Sequence, residues 1–165
     1  MSIEGDRVRV GIRVDVPVDR AFELFTAHID QWWRRGSKYR VSGRHRGVLR
    51  IEPHVGGRLF ETWQGPTGAA QVVATGEVLR WEPPALLQLR WRNVNFRGDE
   101  ATTLTVRFEA QGASTWVSVT HEGFAALRPD HPARHGHQGA AFVRMMGMWW
   151  GELLRSLHER ALGEG

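Results

Sequence analysis

Between Arg7 and Val16 the chain alternates, with Val8, Val10, Ile12, Val14 and Val16 at every second position and Arg, Gly or Asp between most of them. A period of two puts those five on one face of a half-buried strand, because successive strand side chains point to opposite sides. Pro17 and Asp19 then open a short helix with the apolar stripe Ala21, Phe22, Leu24 and Phe25, ending near Ala27 or His28. Asp30 to Trp33 adds one further turn. From residue 47 the pattern returns to strands, over 47–52, 58–64, 71–82, 85–91, 101–110 and 114–122. The breaks fall on turn residues: Pro53 to Gly57, Gly65 to Gly68, Pro83 and Pro84, Asn93 to Glu100, and Gln111 to Ala113. Connections this short make the pairings antiparallel. Residues 138–162 then read as one long helix, with Val143, Met146, Trp150, Leu154, Leu157 and Ala161 at helical spacing and Leu153 beside them. Arg155, His158, Glu159 and Arg160 form its wet side.

A sheet with one apolar face must bury it, and the C-terminal helix is the element long enough to cover it. The strand positions assigned to that face are Leu87, Leu89 and Trp91, then Leu104, Val106 and Phe108, then Thr115, Val117, Val119 and His121. The pattern therefore predicts an α+β chain: a curved seven-stranded antiparallel sheet wrapped around a long C-terminal helix, with two short helices after the first strand. Such a grip leaves space between helix and sheet. There is no internal repeat, and residues 1–165 read as a single domain.

The same segments carry a family resemblance. "VPVDRAFELFT" opens the first helix, "IDQWW" follows it, and "EPHVGGRLFETW" makes a strand turn. "GEVLRWEPPALLQLRW", "TTLTVRFEAQGASTWVSVTHEGF" and a terminal helix with Trp150, Leu154 and Leu157 complete the order. This resembles the helix-grip fold of the START-like superfamily, also called SRPBCC or Bet v 1-like, and within it the branch named after the activator of heat-shock protein 90 ATPase homologues. The resemblance implies a single START-like domain with an apolar cavity between sheet and C-terminal helix, used elsewhere in the superfamily for lipids, polyketides, hormones and aromatic compounds.

Charge and composition narrow the function further. The chain has no cysteine, which excludes disulfides, thiolate metal sites and cysteine nucleophiles. No stretch approaches the ~20 apolar residues of a membrane span, and Met1 to Arg9 has no apolar signal region, so a cytoplasmic protein is expected. Net charge is +4, carried by 21 Arg and one Lys. Nucleic-acid binding calls for cations gathered on one face, and only 34–50 gathers them: Arg34, Arg35, Lys38, Arg40, Arg44, Arg46 and Arg50, without an acid. One loop with no groove-wide stripe reads as solvated, or second as a contact for an anionic head group, and no nucleic-acid partner is expected.

The candidate binding residues are Trp33, Phe60, Trp63, Trp81, Trp91, Phe108, His121, Met146 and Trp150, with Trp32 and Trp149 as further walls. Aromatic linings with few polar groups suit a small-molecule pocket, although large rings also dominate ordinary cores. Adjacent tryptophans on a helix point about 100° apart, so one of Trp32 and Trp33 is expected buried and the other partly wet. Gly147 and Gly151 strip one helix face of side chains, either for a ligand or for close packing by a sheet aromatic. His121, at a strand end on the inner face, is an anchor or base near the cavity mouth, or a satisfied rim histidine; Glu61, Glu77 and Asp30 are its candidate acids. His131, His135 and His137 have enough imidazoles for zinc, but Pro132 and Gly136 make that stretch a loop, read here as a cavity lid with no metal. There is no G-x-S-x-G, phosphate loop or nucleotide fingerprint, so no cofactor is expected and the catalytic residues stay unassigned. The expected function is binding of a small hydrophobic or aromatic molecule. The alternatives are a cyclase or hydrolase using the same cavity and a chaperone-interaction module, and a homodimer through an exposed Trp patch or a sheet edge stays open.

Overall fold

A computed structural model describes residues 7–43, 46–92, 100–124 and 139–163. The histidine-rich stretch 131–137, Arg44 and most of the bend before Glu100 lie outside them. In chain order the elements are β1 (Arg7–Val14), α1 (Val18–Thr26), α2 (Ile29–Trp32), β2 (Val48–Ile51), β3 (Arg58–Gln64), β4 (Ala70–Glu82), β5 (Leu86–Trp91), β6 (Thr102–Gln111), β7 (Ser114–Glu122) and α3 (Gly139–Leu162). The seven strands form one sheet in the order β1-β7-β6-β5-β4-β3-β2, every pair antiparallel. The first strand thus joins the last, and among the described residues β1 and β2 are the edges of the sheet.

The alternation read from the sequence is the one the sheet uses. Leu87, Leu89, Leu104, Val106, Phe108, Thr115, Val117, Val119 and His121 are buried on the inner face, and α3 lays Trp150, Leu153, Leu154, Leu157 and Ala161 against the core they line. Each fully buried Leu or Val is worth about 1.5–3 kcal/mol over leaving it in water. Truncating Leu154 to Ala in this layer would cost about 2–5 kcal/mol. The register of β4 shifts twice, between Leu59 and Phe60 on its β3 side and between Val78 and Arg80 on its β5 side. Bulges bend a strand and increase its twist, which lets this 13-residue strand curl the sheet toward α3. Two contacts from the half-wet side of α3 tie it to its neighbours: His158 Nδ1 lies 2.8 Å from the carbonyl of Arg13 on β1, and the Arg160 guanidinium donates to Gln31 of α2. Among the described residues no helix is long and apolar enough to cross a membrane.

Candidate functional site

Trp32 closes α2, and Trp33 is its C-cap, with φ −67° and ψ 121°. The extended ψ takes Trp33 out of the helix, so the angular rule for adjacent helical side chains no longer governs it. Both rings are buried, at 3% and 4% exposure, where one was expected wet. Trp32 donates its indole N–H to the Leu24 carbonyl at 3.0 Å, and Trp33 donates to the Tyr39 carbonyl at 3.1 Å. Neither ring is free to serve as a surface stacking platform.

What covers Trp33 is the start of the basic run, and the expected solvated loop is instead a folded clamp. Arg40 is 4% exposed, and its guanidinium spends its donors on Asp30 Oδ1 (2.6 Å) and the carbonyls of Asp30, Trp33, Arg34 and Gly47. A buried charge is tolerated when it is paired and its hydrogen bonds are made. Burial works against the Asp30 charge, but the Leu49 amide and the Arg40 and Arg35 guanidinia outweigh it and hold the carboxyl below its ordinary range. Three more cations of the run are also engaged: Arg34 donates to the Glu152 carbonyl and Ser156 Oγ, Arg35 to Asp30 and Gly47, and Lys38 to the Glu152 carboxylate. The Tyr39 hydroxyl also bonds Glu152, and Trp149 donates to the Lys38 carbonyl at 2.9 Å. Segment 34–42 is thereby laced to α3.

Beneath the segment, aromatic rings from four regions of the chain meet. Trp33 and Trp91 stack at 6.1 Å with 26° between planes, and Trp33 is approached edge-on by Trp149 at 6.0 Å and Trp150 at 5.7 Å. Tyr39 stacks on Trp149 at 5.8 Å. These rings occupy the space that the grip was expected to leave open. Beside them lies a niche of about 10 Å³, bordered by Trp33, Tyr39, Trp91, Leu59, Thr75 and Glu61, and a void of that size holds about one water. Glu61 is 3% exposed. Its Oε2 accepts the Val41 amide at 2.7 Å, and its Oε1 accepts the Ser42 amide at 3.3 Å and the Ser42 hydroxyl at 3.0 Å.

His121 is buried at 3% exposure rather than standing at a mouth. Trp150 Nε1 lies 3.2 Å from its Nδ1, and an indole nitrogen can only donate, so Nδ1 is the acceptor. The ring proton of the neutral imidazole therefore sits on Nε2 and is donated to Thr102 Oγ1 at 2.8 Å, while the Thr102 hydroxyl faces the Trp91 carbonyl at 3.5 Å. Desolvation pushes the His121 pKa down to about 3. Both ring nitrogens are used, and none of the three candidate acids is its partner: Glu61 bonds the clamp, Asp30 bonds Arg40, and Glu77 lies 3.9 Å from Arg90.

The structure brings together Trp33, Trp91, His121 and Trp150 out of the predicted residues, through mutual ring contacts at 5.7–6.4 Å. Phe108 and Trp81 lie around Phe22, each with its ring 5.1 Å from that residue, and reach Trp33 through the intervening rings of Phe25 and Trp32. Met146 is half-buried on α3, packed against the core. Trp63 is half-buried toward the end of β3. Phe60 faces the other way: Leu59 and Glu61 on either side of it are buried inward, and the Arg58 guanidinium lies over the Phe60 ring at 4.7 Å. Sequence reasoning missed Tyr39, Thr75 and the role of Glu61. The signal for Glu61 was its parity with Leu59, which places a carboxylate on the inner face of a strand.

Gly147 and Gly151 have no described atom within 4 Å of where a Cβ would stand, so no described sheet aromatic uses the gap they leave.

Comparisons with known proteins agree with this architecture. A protein from Nitrosomonas europaea is 15% identical over 100% of both chains, with a TM-score of 0.62. One from Rhodobacter sphaeroides is 20% identical over 98% of this chain and 95% of its own, at 0.61. An HSP90 activator from Plasmodium falciparum is 19% identical over 96% of each chain, at 0.62. Identities this low speak for the fold alone. No curated protein sequence matches the chain at a significant level. The family described as Activator of Hsp90 ATPase homolog 1-like protein matches residues 15–159, from just after β1 to the last turn of α3, and the chain belongs to that family.

Proposed function

We propose that the protein binds a small, largely apolar or aromatic molecule at the Trp33–Tyr39–Trp91 niche, between the sheet and the clamp that segment 34–42 makes with α3. The observation that carries this is the convergence of rings from the α2 cap, the clamp, β5 and α3 around a point where a buried carboxylate and Thr75 also meet. Apolar walls with a few convergent polar groups are what small-molecule sites are made of. The niche is water-sized in the closed form, so a ligand enters as the clamp lifts. The setting is a cytoplasmic protein acting as one domain. Catalysis by His121 as a base has no support in this geometry, because neither of its nitrogens is available to a substrate.

The test is native mass spectrometry of the protein as purified, followed by tryptophan-fluorescence titration with apolar and aromatic compounds. A retained molecule or saturable quenching is expected. A protein that carries nothing and responds to nothing overturns the reading, and analytical ultracentrifugation of the same sample reads whether the edge strands β1 and β2 pair into a homodimer.

A second reading is a chaperone-interaction module. It draws on the family description and on the Plasmodium falciparum relative's name, and on an interior already filled by its own rings. Co-purification with an Hsp90-type chaperone, and a change in that chaperone's ATPase rate on adding this protein, is the outcome it requires.

A further inference from the structure

The charges around the niche have the opposite sign to the one the basic run suggests. Arg34, Arg35, Lys38 and Arg40 are all turned to acceptors of the fold itself, on Glu152, Ser156, Asp30 and main-chain carbonyls. The carboxylate that borders the niche is that of Glu61. It is buried, it has no ion-pair partner among the described residues, and its three donors are neutral groups of Val41 and Ser42. A carboxylate offers about four acceptor positions, so one stays open on Oε2.

Three aromatic rings, Trp33, Tyr39 and Trp91, border the same space. A ring face carries negative charge density and attracts a cation within about 6 Å. Rings plus a desolvated carboxylate favour a positively charged head and disfavour an anionic one. The donors that now satisfy Glu61 are all on Val41 and Ser42, so displacing that pair removes all three together. A protonated primary amine carries three N–H donors on a head the size of a water molecule, which matches both the niche and the donors that leave.

We propose that the ligand of this site is an organic ammonium, an amine with an apolar or aromatic body, whose charged head is held by Glu61 and the rings of Trp33, Tyr39 and Trp91. This rests on the binding reading above and specifies its ligand class. The experiment compares 2-phenylethylamine, 2-phenylethanol and 3-phenylpropionate on the full chain, by calorimetry at pH 7 with tryptophan fluorescence in parallel. The expected result is that the amine binds at least tenfold more tightly than the alcohol and the acid. Glu61→Gln should then lose at least tenfold for the amine and leave the alcohol within twofold. Equal affinities for all three, or a preference for the acid, overturn the ammonium assignment while leaving the cavity reading intact. Saturation by none of them, together with an empty protein in native mass spectrometry, overturns both. The wild-type series needs no variant, so the assignment remains falsifiable even where Glu61→Gln does not fold.

Discussion

His121 makes folding depend on pH in a way that can be worked out. In the unfolded chain a histidine titrates near 6.5; in the fold, burial lowers that to about 3. Between those values the unfolded state holds a proton that the folded state does not, so stability is intact above about pH 6.5 and falls as pH drops towards 3. The slope approaches about 1.4 kcal/mol per pH unit. At pH 5 the group is about 1.5 units below its unfolded pKa, so the loss relative to pH 7 is about 2 kcal/mol. His121→Phe removes the titration along with the two hydrogen bonds, so its level is uninformative and its slope is the readout. The assay is urea unfolding followed by far-ultraviolet circular dichroism at pH 7, 6 and 5 for both proteins. Subtracting one pH profile from the other cancels the remaining titrating groups. The wild type should lose about 2 kcal/mol more than the variant between pH 7 and 5. Parallel profiles would refute the buried neutral imidazole and, with it, the Trp150–His121–Thr102 chain.

The clamp and the helix allow further tests. Asp30→Ala strands the buried Arg40 guanidinium, and breaking such a pair costs about 3–5 kcal/mol; since Asp30 keeps a quarter of its side chain in water, the lower end is expected, or about 6–12 °C in Tm for a chain of this size. Because the Asp30 carboxyl is held below its ordinary value, that difference is fully present above about pH 4 and shrinks as pH falls further, which thermal melts at pH 7 and 3 would read. Gly147→Ala and Gly151→Ala meet open space among the described residues, so each should stabilise by about 0.5–1 kcal/mol; a loss in urea unfolding would mean those gaps are occupied. Lys38→Met removes an ion pair whose side chains are 59% and 35% exposed, so Tm should hardly move while amide exchange at Val41 and Ser42 speeds up. An unchanged exchange rate would mean that the Glu152 contact does not restrain the clamp.

What was legible in the sequence is what one buried face imposes. On β6 and β7 a slip of one residue would turn every apolar side chain to water, so alternation alone assigns Leu104, Val106, Val117 and Val119 inward. The stripe on α3 is legible for the same reason at its own period. The site is harder to read because it depends on where the chain leaves a regular element. Trp33 escapes the helical angle at a C-cap that no local composition marks. Arg40 sits in a stretch of Arg, Lys, Gly and Ser that reads as solvated, and its burial follows from five acceptors spread from Asp30 to Gly47, which come together only in the fold. Phe60, a candidate binding residue, stands against the parity of the buried Leu59 and Glu61, which turns it to the other face. Reading Glu61 as an inner-face residue required accepting a carboxylate in the core before its donors on the clamp were known.

The clamp is held unequally along its length, and that difference connects the stability of this fold to its function. At its base, Arg40 and Asp30 form a buried, hydrogen-bonded pair whose loss the rest of the fold feels. At its tip, Lys38 meets Glu152 in contact with water, where such pairs contribute about 0–1 kcal/mol. Beyond Arg40, on the side away from Lys38, Glu61 holds Val41 and Ser42 through bonds that a ligand with its own donors replaces without leaving the carboxylate bare. For Glu61 to exchange those donors for a ligand's, the stretch after Arg40 turns away from the carboxylate while Arg40 keeps its pair with Asp30. The rings beneath it then serve both states, as packing when the niche is closed and as walls when a ligand takes the place of the segment's own donors.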